Sequence, residues 1–196
     1  SGAKVGDEVQ VNTYTYDYQS APAVTGLSDG GYVVTWTSNG QDGSYRGIYA
    51  QRFDANGAKI DNEVQINTYT PYDQLEPAVT ALTDGGYVIT WTSVWQDGFY
   101  EGIYAQRFDA AGVKEGDETL IPTTTIDAQH QSTVTALADG GYVVAWRSRW
   151  TYADEGDIYL QRFDASGAKV GVETLVNTQT AGIQHQPVIT SLSDGG

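Results

Sequence analysis

An all-β array, read as a β-propeller built from four-stranded antiparallel blades of 55 residues, follows from three observations. A Gly-Gly pair returns at Gly30-Gly31, Gly85-Gly86, Gly140-Gly141 and Gly195-Gly196, a step of 55 residues with nothing inserted between copies. Each copy breaks into four short runs rich in Thr, Val, Ile and Tyr, bounded by turn residues, and helical 3.6-residue spacing fails throughout. A unit of this size cannot bury its apolar faces alone, so equal spacing means that neighbouring copies supply the missing core. Four short strands in a repeat of about 50 residues are the recipe for a propeller blade. The alternative is another all-β repeat array.

Within the first copy, residues 22–27 make a short strand, and Ser28-Asp29-Gly30-Gly31 makes the turn after it. There the glycine pair is expected to supply the positive φ of a tight hairpin. Residues 32–38 form the run richest in β-branched and aromatic side chains. A polar loop, 39–47, leads to a third strand at 48–54, then to the turn Ala55-Asn56-Gly57 and a fourth strand at 63–67. By analogy with blades that carry an Asp-Gly hairpin between their first two strands, 22–27 is innermost and 63–67 outermost. The chain then divides into an outer strand and connection of a preceding blade (6–20), blades at 21–75, 76–130 and 131–185, and the first strand of a further blade (186–196). This leaves lone strands at 8–12 and 187–192, so a closed ring of about four to eight blades takes strands from neighbouring repeats or a second chain.

Composition narrows the partners. Ten Lys and Arg against 25 Asp and Glu give a formal charge of −15, which opposes nucleic-acid phosphates and anionic membrane surfaces. No stretch approaches the roughly 18 apolar residues of a membrane span. With no cysteine, disulfides, thiolate zinc sites and a cysteine nucleophile are excluded. Acidity, tandem repetition and missing thiols together suit an extracellular or cell-surface protein.

The phrases Asp29-Gly30-Gly31-Tyr32-Val33-Val34-Thr35-Trp36-Thr37-Ser38, Gly40-Gln41-Asp42-Gly43, Ile48-Tyr49-Ala50-Gln51-Arg52-Phe53-Asp54 and Val9-Gln10-Val11-Asn12-Thr13 cover essentially the whole chain through their repeats. They resemble a tandem repeat of very large secreted bacterial proteins described as RTX-type or adhesin-like. The resemblance implies an exported multi-repeat protein with calcium somewhere in the parent molecule, and implies no reaction. The nonapeptide signature Gly-Gly-x-Gly-x-Asp is absent, and Arg149-Trp150-Thr151-Tyr152 departs from the Gln-Asp-Gly of the other copies.

Residues recurring in every copy are structural candidates first. Trp36, Trp91 and Trp146 are expected between blades with their indole N–H groups satisfied. Asp29, Asp84 and Asp139 are expected to accept turn amides. Arg52, Arg107 and Arg162 are expected to pair with a carboxylate on another strand, the recurring Glu8, Glu63, Glu118 and Glu173 being the candidates. Gln19, Gln74, Gln129 and Gln184 are expected to tie adjacent blades together or to ring a channel mouth. His130 and His185 share a register but have no triad or metal-ligand spacing around them.

Variable positions are better places to look for a ligand. The loop between second and third strands carries Trp95 and Tyr100 in the second copy and Trp150 and Tyr152 in the third. Their flat faces suit stacking on sugar rings or anchoring a protein partner. Asp42, Asp97 and Asp154 in the same loops are the candidate calcium ligands, since calcium takes six to eight oxygens. No catalytic residues stand out. The expected function is therefore a non-catalytic structural or adhesive repeat module, contacting a glycan or a surface protein. The alternatives are a lectin-like propeller, and a glycosidase or lyase on a propeller scaffold.

Overall fold

Each 55-residue copy folds as one antiparallel meander in the computed structural model, which describes residues 6–149 and 156–192. The first sheet holds β1 (Gln19–Gly26), β2 (Tyr32–Asn39), β3 (Arg46–Phe53) and β4 (Lys59–Gln65) in chain order. The second holds β5 (Gln74–Ala81), β6 (Tyr87–Val94), β7 (Glu101–Phe108) and β8 (Lys114–Leu120). The third holds β9 (Ala128–Ala136), β10 (Tyr142–Arg149), β11 (Gly156–Phe163) and β12 (Lys169–Leu175). The strands β1, β5 and β9 adjoin one another, so the sheets are blades of a β-propeller with their first strands at the axis. Segments 8–12 and 187–192 carry no strand ladder.

Successive blades meet through two unlike faces. Leu27, Val33, Ile48, Ala50 and Ile66 of blade 1 pack on Tyr87, Ile89, Trp91, Tyr104 and Phe108 of blade 2. The same arrangement recurs one repeat on, where Leu82, Val88, Ile103, Ala105 and Ile121 meet Tyr142, Val144, Trp146 and Phe163. Strand alternation puts the aliphatic set on one side of each sheet and the aromatic set on the other. Trp91 and Trp146 thus sit between blades as expected, whereas Trp36 lies on the open face of blade 1, and Nε1 of all three has no hydrogen-bond partner among the described residues.

The turn chemistry explains most of the repeated motif. Gly31, Gly86 and Gly141 donate N–H to the carboxylates of Asp29, Asp84 and Asp139 at 2.8, 2.9 and 3.0 Å. In the three described pairs only the first glycine has positive φ, +85° at Gly30. The second is required by close approach: a Cβ on Gly31, Gly86 or Gly141 would stand 2.3 Å from the carbonyl oxygen of Phe53, Phe108 or Phe163. Gln51 is explained by a bulge opposite it, where the β3–β4 register slips between Ala50 and Arg52. Its buried amide donates to the carbonyls of Arg52 and Ile60, both at 2.9 Å, beside the bulge.

The arginines do not all find the partners expected of them. Arg52 and Arg162 pair with Asp29 and Asp139 of their own first turn, and Arg107 with Asp84 at 3.3 Å and with Glu115 at 3.3 Å. Two of the guanidinium groups also reach forward: Arg52 donates to the carbonyl of Ala110 at 3.0 Å, and Arg107 to that of Ala165 at 2.7 Å, in the second turn of the next blade. The recurring glutamates serve the connectors instead. Glu63, Glu118 and Glu173 accept the backbone N–H of Thr13, Thr68 and Thr123, and Glu63 and Glu118 also accept the side-chain amides of Gln41 and Gln96.

Candidate functional site

The first strand of each blade bulges before it settles into its ladder. Pairing with the second strand slips between Ser20 and Ala23 and again between Leu75 and Ala78. At the displaced position Ala21, Glu76, Gln131 and Gln186 all take left-handed φ, from 49° to 58°. Non-glycine residues adopt that region at a cost of about 1–3 kcal/mol, and do so mostly where the surroundings need them there. Here the bulge turns the four side chains to the axis, where with Pro22, Pro77, Ser132 and Pro187 they line an open cleft of about 320 Å³. That volume is within the range of small-ligand sites.

A ladder of side-chain bonds runs round this cleft. Gln131 donates its backbone N–H to Oε2 of Glu76 at 3.1 Å, and Gln186 donates its own to Oε1 of Gln131 at 3.2 Å. Glu76 and Gln131 are thereby each held by the copy that follows. Among the described axial positions, Glu76 is the one ionisable group, where the other copies carry Ala21, Gln131 and Gln186.

The same end of the propeller carries the loops between second and third strands. Trp95 and Phe99 stand exposed there, and the Trp95 ring lies 5.4 Å from that of Tyr100 at 39°. Trp95 occupies a left-handed position (φ 64°) that Gly40 fills in the first copy (φ 70°). The loop closes on itself through Trp95 N–H to Tyr100 carbonyl at 2.7 Å. Trp150, Tyr152 and Asp154 lie outside the described residues.

Asp42 and Asp97 are turned into their own loops. Asp42 accepts Ser44 N–H at 3.0 Å and the Gln65 amide at 3.4 Å, and Asp97 accepts Phe99 N–H at 3.1 Å. Among the described residues no three His, Asp or Glu side chains come together. Burial and the nearby carboxylates of Asp42 and Glu63 push the Tyr49 hydroxyl up to about 12. The glutamines expected at the rim do hold the connectors: Gln74 accepts from Asn67, which follows β4, at 3.0 Å and donates to the Pro71 carbonyl at 3.0 Å.

Blade 3 departs from the others beside the cleft. His130, the neighbour of Gln131, lies directly opposite Arg147 in the β9–β10 pair, with Arg149 two residues further on. Burial and the two guanidinium groups hold the imidazole down at about 4, so it is neutral at pH 7. Burial alone raises the Asp127 carboxyl above its ordinary value.

A second cavity of about 150 Å³, lined by Val11, Gln19, Val34 and Trp36, lies on the outer face of blade 1. The repeat equivalents of Val34 and Trp36 are Ile89 and Trp91, which are packed under blade 1. This cavity is therefore half of a blade interface.

No protein-family model matches the chain, and no curated protein matches it. Solved structures share its fold. The endo-arabinase of Bacteroides thetaiotaomicron is similar with a TM-score of 0.56 at 18% identity, over 89% of this chain and 66% of that one. The GH43 endo-arabinanase of Bacillus licheniformis gives 0.54 at 18%, over 87% and 64%. The α-L-arabinanase of Penicillium chrysogenum, complexed with arabinobiose, gives 0.58 at 14%, over 91% and 50%. The chain thus spans between half and two thirds of the length of these structures. The expectation of a non-catalytic structural or adhesive module, and of no enzyme, is corrected on this finding: the propellers that share the fold carry the names of glycan-cleaving enzymes. Sequence reasoning passed over the axial position because it lies at the start of the first strand and not in the variable loops where a ligand was sought. Its signal was there in the recurring Gln-x-x-Pro of Gln19–Pro22 and Gln74–Pro77, with one acid among the variable residues.

Proposed function

We propose that the chain belongs to a carbohydrate-active propeller that hydrolyses glycosidic bonds in the axial cleft, with Glu76 as the carboxyl group this chain contributes. The observation that carries the reading is the single carboxylate on the axial ring, held at 3.1 Å by the N–H of Gln131 and open to the cleft. Its support from fold likeness is the arabinanase series described above.

Glycoside hydrolysis uses two carboxyl groups, about 5–5.5 Å apart for retention and about 6.5–9.5 Å apart for inversion. Glu76 suits the member that attacks or activates water, since it is an exposed carboxylate fixed by a backbone donor. Among the described axial positions Glu76 has no carboxyl partner, so cleavage is read on the ring completed by further blades. Trp95, with Phe99 beside it, offers a stacking surface for a sugar ring on the rim of the same end.

Reducing-end release from a panel of neutral and acidic oligosaccharides, arabino-oligosaccharides included, tests this. Glu76→Gln lowers kcat by about 10²-fold or more with the melting temperature unchanged. Full activity in Glu76→Gln ends the assignment.

A further inference from the structure

Blade 2 carries two aromatic residues on backbone that the other copies give to glycine or aspartate. Tyr72 occupies a left-handed position (φ 62°) that Asp17 (φ 60°) and Gly182 (φ 89°) fill elsewhere in the chain. Trp95 does the same at the place of Gly40. Glycine and aspartate tolerate that region, whereas a bulky ring-bearing residue is an outlier there. Asp17 has a local use for its position: its carboxylate accepts the N–H of Tyr18 at 2.9 Å and the side-chain amide of Asn39 at 2.5 Å. A tyrosine has no carboxylate with which to close the turn in that way.

The ladder brings the two residues together at the rim. Gln74 pairs with Ser93, and the next rung is the N–H of Val94 on the carbonyl of Asp73 at 2.9 Å. Tyr72 and Trp95 come one residue further on in each direction, and residues opposite one another in such a pair are near neighbours. Both stand exposed. From this rung the chain runs into β5, whose Glu76 and Pro77 line the axial cleft. An aromatic pair at the rim and a carboxylate at the axis are thus the two ends of one short stretch, 72–76. The other blades do not combine them: blade 1 carries Asp17, Gly40 and Ala21, and blade 3 carries Asp127 and Gln131. Flat uncharged faces suit the apolar face of a neutral sugar ring, and a neutral ligand meets no repulsion from a chain of net charge −15.

We propose that Tyr72 and Trp95 form a subsite for a further sugar unit beyond the one held at Glu76, so that the site takes a neutral oligosaccharide laid outward along blade 2. This rests on the reading of the cleft as a glycan site.

Calorimetric titration of the full chain with arabino-, xylo- and cello-oligosaccharides of about one to four units tests it, with Glu76→Gln run beside the wild type so that the ligand stays uncut. In at least one series affinity rises about tenfold or more once the oligosaccharide is long enough to reach the rim. Tyr72→Gly, which copies Gly182 and suits the left-handed backbone, removes that step and leaves the affinity for the single sugar as it was. Tyr72→Phe, which keeps the ring, retains the step. Affinity independent of length, no binding in any series, or an undiminished step in Tyr72→Gly with an unchanged melting temperature overturns the subsite. Should Tyr72→Gly fail to fold, Tyr72→Asp, which copies Asp17, decides by the same criterion. Oligogalacturonates, charged on every unit, bind more weakly than the best neutral series, and tighter binding of them overturns the neutral class. Hydrolysis is read separately. Length-dependent binding without cleavage removes the glycosidase reading and keeps this one, and cleavage without length dependence does the reverse.

Discussion

Trp95 carries an aromatic side chain on a backbone that favours glycine. Its left-handed φ of 64° is met by glycine in the first copy, so a bulky aromatic has been placed where only strain relief by glycine is needed for folding. Strain of this sort costs about 1–3 kcal/mol and persists where the side chain has a use. Trp95→Gly loses the contact with Tyr100 and gains unfolded-chain entropy, which offset the relief, so stability stays within about 1 kcal/mol. Glycan affinity falls about tenfold or more in the same variant, read by calorimetry. A parallel loss of stability and affinity would mean that the ring is only a cover for the blade edge. His130 adds a pH signature. Its folded pKa of about 4 lies below the roughly 6.5 of an unfolded histidine, so between these values the unfolded chain binds a proton that the folded one refuses. Stability therefore falls as pH drops from about 6.5 towards 4. The urea midpoint of His130→Gln follows a flatter course over that window, and identical profiles would remove the burial from the explanation.

The strands and their turns were the most legible part of the molecule, because Asp-Gly-Gly and Asp-Ala-Asn-Gly act within a few residues of themselves. Asp54 accepts the N–H of Asn56 at 2.9 Å and of Ala58 at 2.8 Å whatever the rest of the chain does. Long-range partners were not legible. Glu63 and Thr13 are 50 residues apart and meet only because one blade's outer strand lies beside the connector that enters the same blade. The axial bulge was hidden for another reason: a left-handed turn at Glu76 leaves no mark when the residue is neither Gly nor Asn. These connector bonds are an element-scale lock. Burial would raise the Glu63 carboxyl, but the hydrogen bonds from Thr13 and Gln41 outweigh it and leave the group below its ordinary value. Such a group stabilises the fold above the unfolded pKa of about 4.3, and the contribution disappears as pH falls through the lower folded value. Glu63→Ala leaves the Thr13 N–H and the Gln41 amide unpaired and costs about 1–3 kcal/mol at pH 7. The cost shrinks as pH falls through the folded value, which paired thermal melts at pH 7 and in acid check.

Across the whole molecule, stability follows from how many neighbours a blade has. In a repeat array each unit is held by its own folding and by the interfaces on either side. Blade 2 buries both faces: Tyr87 and Ile89 under blade 1, Val88 and Ile103 under blade 3. Blade 1 has only its aliphatic face covered by a complete blade, and Val24 is 63% exposed where its repeat equivalent Val134 is 8% exposed. Blade 3 has the mirror deficit, with Val176, just past β12, exposed where its repeat equivalents Ile66 and Ile121 are buried. Local opening therefore costs least at the two ends and most in the middle. Native-state hydrogen exchange of the chain orders the blades accordingly: the amides of β6 and β7 exchange slowest, and those of β2, β3, β10 and β11 exchange faster although their sequences nearly repeat. Tyr87→Ala, which removes a fully buried ring, costs about 3–5 kcal/mol. Tyr32→Ala, at the equivalent place on an open face, costs less. Covering the ends with further blades should then slow β2 and β10 towards the rate of β6, because the same side chains would acquire the neighbours their equivalents already have. Equal protection in all three blades of this chain would show instead that each sheet stands by itself, and the interfaces described above would have no part in holding the cleft together.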